Sequence, residues 1–452
     1  MGVSVRRGGR VRSAAVAGAV LAVLAGPRAW AADADSVPSY APAPDSLRIE
    51  GARSTGDAEE LKAGGFYSDT IGPGERLHYR VRLDAAETSA FVSAVAQPVA
   101  KAKVAYGDGI AVTLMTAAGS LCGSGSGSTF GTEQARPLAD FASRLIGEDR
   151  PCQEAGTYYV RVERTSDPAS DRSDWPLELA FMREPGLKGG PKPTAAPSGW
   201  PSASPEPAGA EPVDRKGGTG FNDARSVEAG VWRDRLVPGQ TAYYRVPLDW
   251  GQQLTARAEL SQADELTDDS AYASSGLTVE ILDTVRGPVL DGSKSYDGEQ
   301  AELGLGPTAP VAYNNRFESS AGVAGMRFSG WYYVAVTLDK EIAGFTKGRI
   351  PLLLRLNVEG EPGEGPGYDG DASAAGFGIS DEDREAAVSG ATAEESAASG
   401  AMTVLGLGGI GAGTVLLGGL GAWTLIARRR AAAGAGQGPG PVPGQGYGPP
   451  AW

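Results

Sequence analysis

Polar and apolar residues alternate with a period of two in the segment "RLHYRVRL" (76–83). One face collects Leu77, Tyr79, Val81 and Leu83, and the other collects Arg76, His78, Arg80 and Arg82. This period predicts a β-strand with one buried side and one solvent-facing side. The segment "TAYYRVPL" repeats the pattern, with an apolar face of Ala242, Tyr244, Val246 and Leu248. A Pro-Gly turn signal precedes each segment, so both strands are expected to start at a tight turn.

These two strands belong to a longer internal repeat. Three pairs of segments match in the same order along the chain: 66–84 with 231–249, 156–162 with 330–336, and 175–181 with 350–356. Several matched segments in one order indicate a duplicated structural unit. We therefore predict two copies of one module, module 1 at residues 51–184 and module 2 at residues 216–359.

The remaining pattern of each copy favours an all-β fold. Further apolar segments separated by turns follow in both copies, which gives about five antiparallel strands per module. Strands in this number and spacing predict two tandem β-sandwich or jelly-roll-like modules. One insert differs, because Leu138, Phe141 and Leu145 recur at helical spacing. There we expect a short helix that caps module 1.

The segments around the modules have compositions typical of export signals and spacers. Residues 1–31 combine a basic start, an apolar run and a small-residue cleavage pattern, which predicts a secretory signal peptide. Residues 32–50 are expected to be a linker, and the Pro-rich residues 185–215 a semi-rigid one. Residues 360–400 are rich in Gly, Ala, Ser and acidic residues, which predicts an acidic disordered stalk.

An uncharged apolar stretch near the end of the chain predicts a membrane anchor. Residues 401–427 would form a helix of about 40 Å, longer than a hydrocarbon core of about 30 Å. A basic stop follows at once, formed by Arg428, Arg429 and Arg430. Because positive charge stays on the cytoplasmic side, we predict a single-pass cell-membrane protein with its N-terminal bulk outside. The Gly/Pro-rich residues 428–452 would be a short disordered cytoplasmic tail.

Charge and composition limit the partners. The formal net charge is −14 at pH 7, and we expect no Lys/Arg-rich face outside the membrane of the kind that nucleic acids require. We therefore predict an envelope protein or a glycan as partner, and no nucleic acid. Within the predicted span, Gly409 and Gly413 form a G-x-x-x-G pattern that would allow weak self-association.

The two cysteines, Cys122 and Cys152, lie in the exported part of the chain. In an oxidising compartment a disulfide is the expected state. Closing a loop of about thirty residues would stabilise the fold by about 3 to 4 kcal/mol in the chain-entropy model. His78 is the only histidine, so no Cys/His cluster for a metal can form. We predict no metal site and no cofactor.

The strand "EAGTYYVRVER" (154–164), its echo "FSGWYYVAVTL" (328–338) and the Tyr-x-Val strands before them occur in a distinctive order. This order resembles the bacterial pre-peptidase C-terminal domain family. The resemblance implies small β-sandwich modules that serve secreted proteases and other surface proteins as accessory or binding modules. The paired acids usual before the family's Tyr-x-Val strand are absent here, which argues against a calcium role for this chain. The overall plan of the chain resembles that of actinobacterial cell-surface proteins.

Residues with catalytic potential are few. A serine hydrolase needs an imidazole base, and His78 lies on the polar face of its strand. No G-x-S-x-G elbow occurs. Asp69 and Asp234 recur in both copies and could act as a carboxylate pair, but their place before a Pro-Gly turn favours a backbone hydrogen bond. We therefore predict that the protein is not an enzyme.

Four tryptophans near predicted loops are candidate binding aromatics: Trp175, Trp232, Trp250 and Trp331. Exposed rings could stack on sugars or proteins. Trp232 aligns with Tyr67 in the repeat, which favours a packing role for that ring instead. The leading hypothesis is a non-catalytic, membrane-anchored surface protein that binds or scaffolds in the cell envelope. The alternatives are a carbohydrate- or cell-wall-binding protein and a surface hydrolase or an accessory subunit of one.

Overall fold

The computed structural model describes residues 36–83, 88–147, 150–189, 196–203, 205 and 209–396. The first half of this described chain contains the strands β1 (Leu47–Arg48), β2 (Glu60–Leu61), β3 (Phe66–Ile71), β4 (Arg76–Leu83), β5 (Ser89–Ala96), β6 (Gly109–Thr116), β7 (Leu121–Ser124), β8 (Ser128–Thr129), β9 (Leu138–Arg144), β10 (Gly156–Thr165) and β11 (Trp175–Glu184). The second half contains β12 (Val213–Asp214), β13 (Arg225–Ser226), β14 (Gly230–Leu236), β15 (Thr241–Leu248), β16 (Gln253–Leu260), β17 (Ala273–Leu282), β18 (Pro288–Tyr296), β19 (Ala301–Leu305), β20 (Gly330–Leu338) and β21 (Ile350–Glu359).

Helices are few among the described residues. The α-helices are α1 (Ala321–Ala324) and α2 (Asp381–Ser389), and short 3-10 turns occur at Thr55–Asp57, Tyr313–Phe317 and Lys340–Gly344. The predicted all-β class is therefore confirmed for this part of the chain.

The strands form four sheets. Their strand orders are β1-β3-β11-β5-β9 in sheet A, β2-β4-β10-β6-β7 in sheet B with β8 on β6, β12-β14-β21-β16-β19 in sheet C, and β13-β15-β20-β17-β18 in sheet D. The long strands pair antiparallel, as predicted, whereas the two-residue strands β1, β2, β12 and β13 lie parallel to their neighbours. Sheets A and B enclose one core, and sheets C and D enclose a second.

The two sandwiches repeat the same register. Leu83 of β4 lies opposite Gly156 of β10, and Leu248 of β15 lies opposite Gly330 of β20. These residues are the matched positions of the sequence repeat. The Pro-Gly turns are also equivalent, because Gly74 and Gly239 have φ values of 71° and 89°, which glycine adopts most readily.

The two sandwiches are stacked on each other. The residues of sheet A that point away from the first core, such as Phe91 and Val95, contact the outer side of sheet D at Phe328 and Tyr243. The layer order is therefore B, A, D, C. Residues 37–396 of the described chain belong to one compact unit, and the outer sides of sheets B and C form its two ends.

The disulfide prediction is confirmed, and the helix prediction is wrong. Cys122 on β7 and Cys152 before β10 are bonded, with their Cα atoms 5.4 Å apart. The predicted cap helix is strand β9, which pairs with β5 over its full length. Its inward side chains alternate as Leu138, Asp140, Ala142 and Arg144, all buried. Backbone pairing at the edge of sheet A therefore overrides the local helical spacing.

The predicted stalk is also corrected over its described part. Residues 360–396 fold back on the sandwiches: Tyr368 pairs with Leu187, Phe377 is buried beside Phe91, and α2 packs against β13 and β15. This segment holds buried apolar side chains that its acidic composition conceals. The predicted linkers behave similarly, since β1 lies within 32–50 and Trp200 of 185–215 packs on the second core.

Several predicted segments lie outside the described residues. They are the signal peptide 1–31, the span 401–427 with Gly409 and Gly413, the stop Arg428, Arg429 and Arg430, and the tail 428–452. Across residues 36–396, as far as the structure describes them, no helix is both long enough and apolar enough to span a membrane.

Candidate functional site

Each of the repeated carboxylates connects a residue of the preceding loop to the strand that follows the Pro-Gly turn. Asp69 Oδ2 accepts hydrogen bonds from the Gly51 amide at 2.7 Å and from the Tyr79 hydroxyl at 2.7 Å. Asp234 Oδ2 does the same with the Gly217 amide at 2.9 Å and the Tyr244 hydroxyl at 2.8 Å. Burial and the neighbouring carboxylate raise the pKa of both tyrosines well above its ordinary value. The tyrosines therefore stay protonated and act as donors, and the aspartates have structural roles.

The single histidine lies on the outer side of sheet B. Its Nδ1 is 3.2 Å from the carbonyl oxygen of Ala52. The described residues contain no group of three His, Cys, Asp or Glu side chains that could hold a metal ion. His78 thus sits on an open strand surface, with no constellation of catalytic type around it in this part of the chain.

Three of the four candidate tryptophans are buried, so the prediction of exposed rings is wrong for them. Trp175 lies under Arg164, whose Cζ is 3.6 Å from its ring centroid, and Trp232 donates to the carbonyl of Glu228 at 3.1 Å. Trp250 belongs to the second core. These rings fill the space between sheets because a large apolar surface gains most from complete removal from water.

The fourth tryptophan is engaged by the chain itself. Trp331 Nε1 donates to Asp383 of α2 at 2.9 Å, and Arg245 stacks on its ring at 4.1 Å. A capping box between Ser380 and Asp383 starts α2 and holds that carboxylate at the indole N–H, on the edge of the ring. Trp331 therefore binds α2 rather than presenting an open platform.

Charged residues far apart in sequence meet between sheets A and D. Glu178 of β11 forms a fully buried ion pair with Arg286 and accepts hydrogen bonds from the Ala43 amide at 2.7 Å and from Asn222 at 2.9 Å. Burial lowers the pKa of Arg286, but the charge of Glu178 outweighs this effect and raises it above the ordinary value. Glu178 therefore connects the N-terminal segment, the first sandwich and the second.

A second buried pair involves Glu184, at the end of the same strand β11. Arg316 Nη2 donates to Glu184 Oε1 at 2.8 Å, and the Tyr368 hydroxyl donates to the same oxygen at 2.7 Å. Burial, followed by the charge of Glu184, raises the pKa of Tyr368. Buried pairs with complete hydrogen bonding fix one relative placement of the elements that carry them. The two sandwiches and residues 360–396 are held together in this way.

The outer side of sheet B carries four arginines, which we call the arginine face. Arg76, Arg80 and Arg82 lie on β4, and Arg161 of β10 lies opposite His78. Their side-chain exposures are 62% for Arg76, 37% for Arg80, 71% for Arg82 and 36% for Arg161. The expectation that no basic cluster exists outside the membrane is therefore corrected: three of these arginines share one side of β4, and pairing with β10 adds Arg161.

Only two carboxylates accompany these arginines among the described ion pairs of the face. Glu60 lies 3.4 Å from Arg80 and 3.3 Å from Arg82, and Glu163 lies 2.8 Å from Arg76 and 4.0 Å from Arg161. The hydrogen bond from Arg76 lowers the pKa of Glu163, so that side chain stays ionised. Each acid is shared between two guanidinium groups, and the face keeps an excess of positive charge.

The outer side of sheet C is different. Each of its arginines has its own acidic partner: Arg233 with Asp214, Arg235 with Asp264, Arg257 with Glu302, and Arg355 with Glu259. This end of the stack is therefore balanced in charge, although it carries as many arginines as the arginine face.

Sheet D shows what the repeat does with the surface equivalent to the arginine face. The positions of Arg76, His78, Arg82 and Arg161 are occupied there by Thr241, Tyr243, Pro247 and Ala335. Sheet A covers Tyr243 and Ala335, while α2 covers Trp331 and Arg245. As far as the structure describes the chain, the same surface of the module is covered in the second sandwich and open in the first.

A small cleft lies where α2 joins the second sandwich. Its volume is about 200 Å³, and it is lined mainly by Val246, Pro247, Val358, Ile379 and Arg384. Arg384 Nη2 donates to Asp249 at 2.9 Å across it. Arg384 and Asp249 are therefore already paired with each other, and Glu228 is the other charged residue of the lining.

The sequence pattern reveals one part of this arrangement and misses another. Alternation along β4 shows that its three arginines share one side of a strand. It does not reveal that Arg161 joins them, nor that Glu178 meets Arg286, since both depend on contacts between segments far apart in the chain.

No protein-family model matches the sequence. No curated protein matches it either. One similar solved structure is the pre-peptidase C-terminal domain of collagenase from Bacillus anthracis, with 16% identity, 28% of this chain and 94% of that chain covered, and a TM-score of 0.18. A second is the human MASP-1/3 CUB1-EGF-CUB2 domain, with 7% identity, 65% of this chain and 99% of that chain covered, and a TM-score of 0.14. A third is the tandem CBM51 modules of a family 98 glycoside hydrolase from Streptococcus pneumoniae, with 8% identity, 64% of this chain and 83% of that chain covered, and a TM-score of 0.17. The β-sandwich fold of this chain follows from the sheet pairing described above.

Proposed function

We propose that the protein is a non-catalytic binding or scaffolding protein of the cell surface, which presents the outer side of sheet B to its partner. One observation supports this proposal above the others: the described residues cover this module surface in its second copy and leave it open in its first. The buried ion pairs of Glu178 and Glu184 supply the rigidity that such a platform needs.

The proposal includes a location. The signal peptide predicted at 1–31 and the membrane span predicted at 401–427, with Arg428, Arg429 and Arg430 after it, would hold the sandwiches outside the cell on a single anchor. Protease treatment of intact cells after removal of the wall tests this topology. The sandwiches should be released or cleaved, and their complete protection would contradict the topology.

Site-specific cross-linking tests the binding surface. Thr113 lies on the outer side of sheet B and Gly304 on the outer side of sheet C. We would place a photoreactive phenylalanine at each position in turn, in the full chain, and irradiate intact cells. Cross-linked material from position 113, with much less from position 304, supports the proposal. Equal yields from both positions, or none from position 113, would contradict it.

A further inference from the structure

We propose that the arginine face binds a linear polymer with repeated phosphate groups and without bases. This inference rests on the proposed function and names its ligand class. The four guanidinium groups share two carboxylates at distances mostly above 3.2 Å. Guanidinium groups form their strongest hydrogen bonds with phosphate or carboxylate oxygens. The face therefore has donor capacity for an anionic ligand.

The geometry of the face suits an extended chain. Outward side chains that are two residues apart on a strand are separated by about 6.8 Å, so Arg76 and Arg82 mark the ends of a row of about 20 Å. Arg80 lies within the row, and Arg161 lies beside it. A phosphate group has several oxygens and can therefore bridge two neighbouring guanidinium groups.

The composition of the face disfavours other partners. A further sandwich could in principle stack on sheet B in the way that sheet A stacks on sheet D. Such a contact would bury Arg161, whose equivalent in the contact between sheets A and D is Ala335. Burying a charge without its own partner costs free energy. Neutral glycans are bound largely by stacking on aromatic rings, and single-stranded nucleic acids need rings on which their bases stack in addition to positive charge. On β4 and β10 the outer side of sheet B offers one such ring, Tyr159. Binding of a ligand through its repeated negative charges is therefore the mode that this face favours.

Binding of end-labelled poly(glycerol phosphate) to the full-length protein in detergent tests the inference. Fluorescence anisotropy would be recorded over a range of salt concentrations. We expect R76Q/R82Q to bind about thirtyfold more weakly than the wild type. We also expect the slope of the logarithm of the binding constant against the logarithm of the salt concentration to change from about −3 to about −1.5, because about half of the ionic contacts are lost. E60Q should bind about fivefold more tightly, because it releases Arg80 and Arg82.

Two controls make the test specific. R233Q removes a one-to-one paired arginine from sheet C and should leave binding unchanged. Thermal unfolding of every variant would check that the substitutions at the highly exposed Arg76 and Arg82 leave the fold intact. Equal binding by R76Q/R82Q and the wild type, or no binding by the wild type, overturns the inference. So does equally tight binding of polyglutamate, of a single-stranded oligonucleotide of equal charge or of anionic lipid vesicles. If cross-links from position 113 persist in that case, the proposed function stands and only the ligand class falls.

Discussion

The hydroxyl of Tyr79 donates a hydrogen bond of 2.7 Å to Oδ2 of Asp69, inside the first sandwich. The bond joins the first two long strands of the module, β3 and β4, across the Pro-Gly turn. Because Tyr244 and Asp234 form the same bond in the second sandwich, the repeat preserves an interaction as well as a pattern of strands.

The Tyr79 bond gives the first prediction. Y79F leaves a buried carboxylate without one of its donors, so the free energy of unfolding should fall by about 1.5 to 3 kcal/mol. Y244F should have a similar effect in the second sandwich. Urea unfolding measures both variants, with Y159F on the outer side of sheet B as the control that should change stability by less than about 0.5 kcal/mol. A Y79F protein as stable as the wild type would show that the bond contributes nothing.

The buried pair of Glu178 and Arg286 gives the second prediction. E178Q leaves the guanidinium of Arg286 buried without an opposite charge, and the free energy of unfolding should fall by about 3 to 5 kcal/mol. The double variant E178L/R286L should recover much of this loss, because it removes both charges from the interior.

The exposed pair of Glu265 and Lys347 is the matched control for this experiment. Both side chains are more than half exposed, so E265Q should cost no more than about 1 kcal/mol. Chemical unfolding of all three variants would be compared under identical conditions. If E178Q and E265Q reduce the free energy of unfolding equally, the buried pair of Glu178 and Arg286 contributes no more to stability than the exposed pair does.

Asp140 gives a pH-dependent prediction. Burial raises the pKa of this carboxyl from 3.8 to about 6, so the folded state holds its proton more tightly than the unfolded state does. The stability of the wild type should therefore decrease as the pH rises from about 4 to about 6, by up to about 3 kcal/mol from this group. Above that range the contribution is constant.

The variant D140N isolates this effect from other titrating groups. The difference in free energy of unfolding, wild type minus D140N, should fall between pH 4 and pH 6 and then level off. Denaturant titrations at intervals of half a pH unit provide the measurement. A difference that is independent of pH would mean that Asp140 has an ordinary pKa in the folded protein.

The capping box of α2 gives the fourth prediction. The Ser380 hydroxyl accepts from the Asp383 amide at 3.1 Å, and S380A should destabilise the helix by about 1 kcal/mol. Limited proteolysis would then cut residues 381–389 faster than in the wild type. E385Q, at an exposed position of the same helix, is the control. Rapid cleavage of this segment in the native wild type would restore the prediction of a disordered stalk.

Local patterns determine much of this fold but little of its assembly. The alternation in β4, the Pro-Gly turns at Gly74 and Gly239 and the repeat itself depend on neighbouring residues, and these are visible in the sequence. The strand β9 is not visible, because its pairing with β5 depends on residues about fifty positions away. The order of residues 360–396 depends on Phe377 reaching Phe91, a contact that composition cannot reveal.

The candidate site divides in the same way. The row formed by Arg76, Arg80 and Arg82 follows from strand periodicity. That this surface stays open, while its equivalent in sheet D is covered, follows only from the stacking of the sandwiches. The burial of Trp175, Trp232 and Trp250 also depends on tertiary packing. The sequence alone could therefore not show whether these rings are exposed for binding.

The contact between sheets A and D has a practical consequence for handling the protein in pieces. Each half, produced alone, would turn an apolar surface to water, with Phe91 and Val95 on one half and Tyr243 and Phe328 on the other. Surfaces of this kind promote aggregation. Each sandwich thus covers the apolar surface of the other. Recombinant work on the arginine face should therefore begin with both halves in one polypeptide.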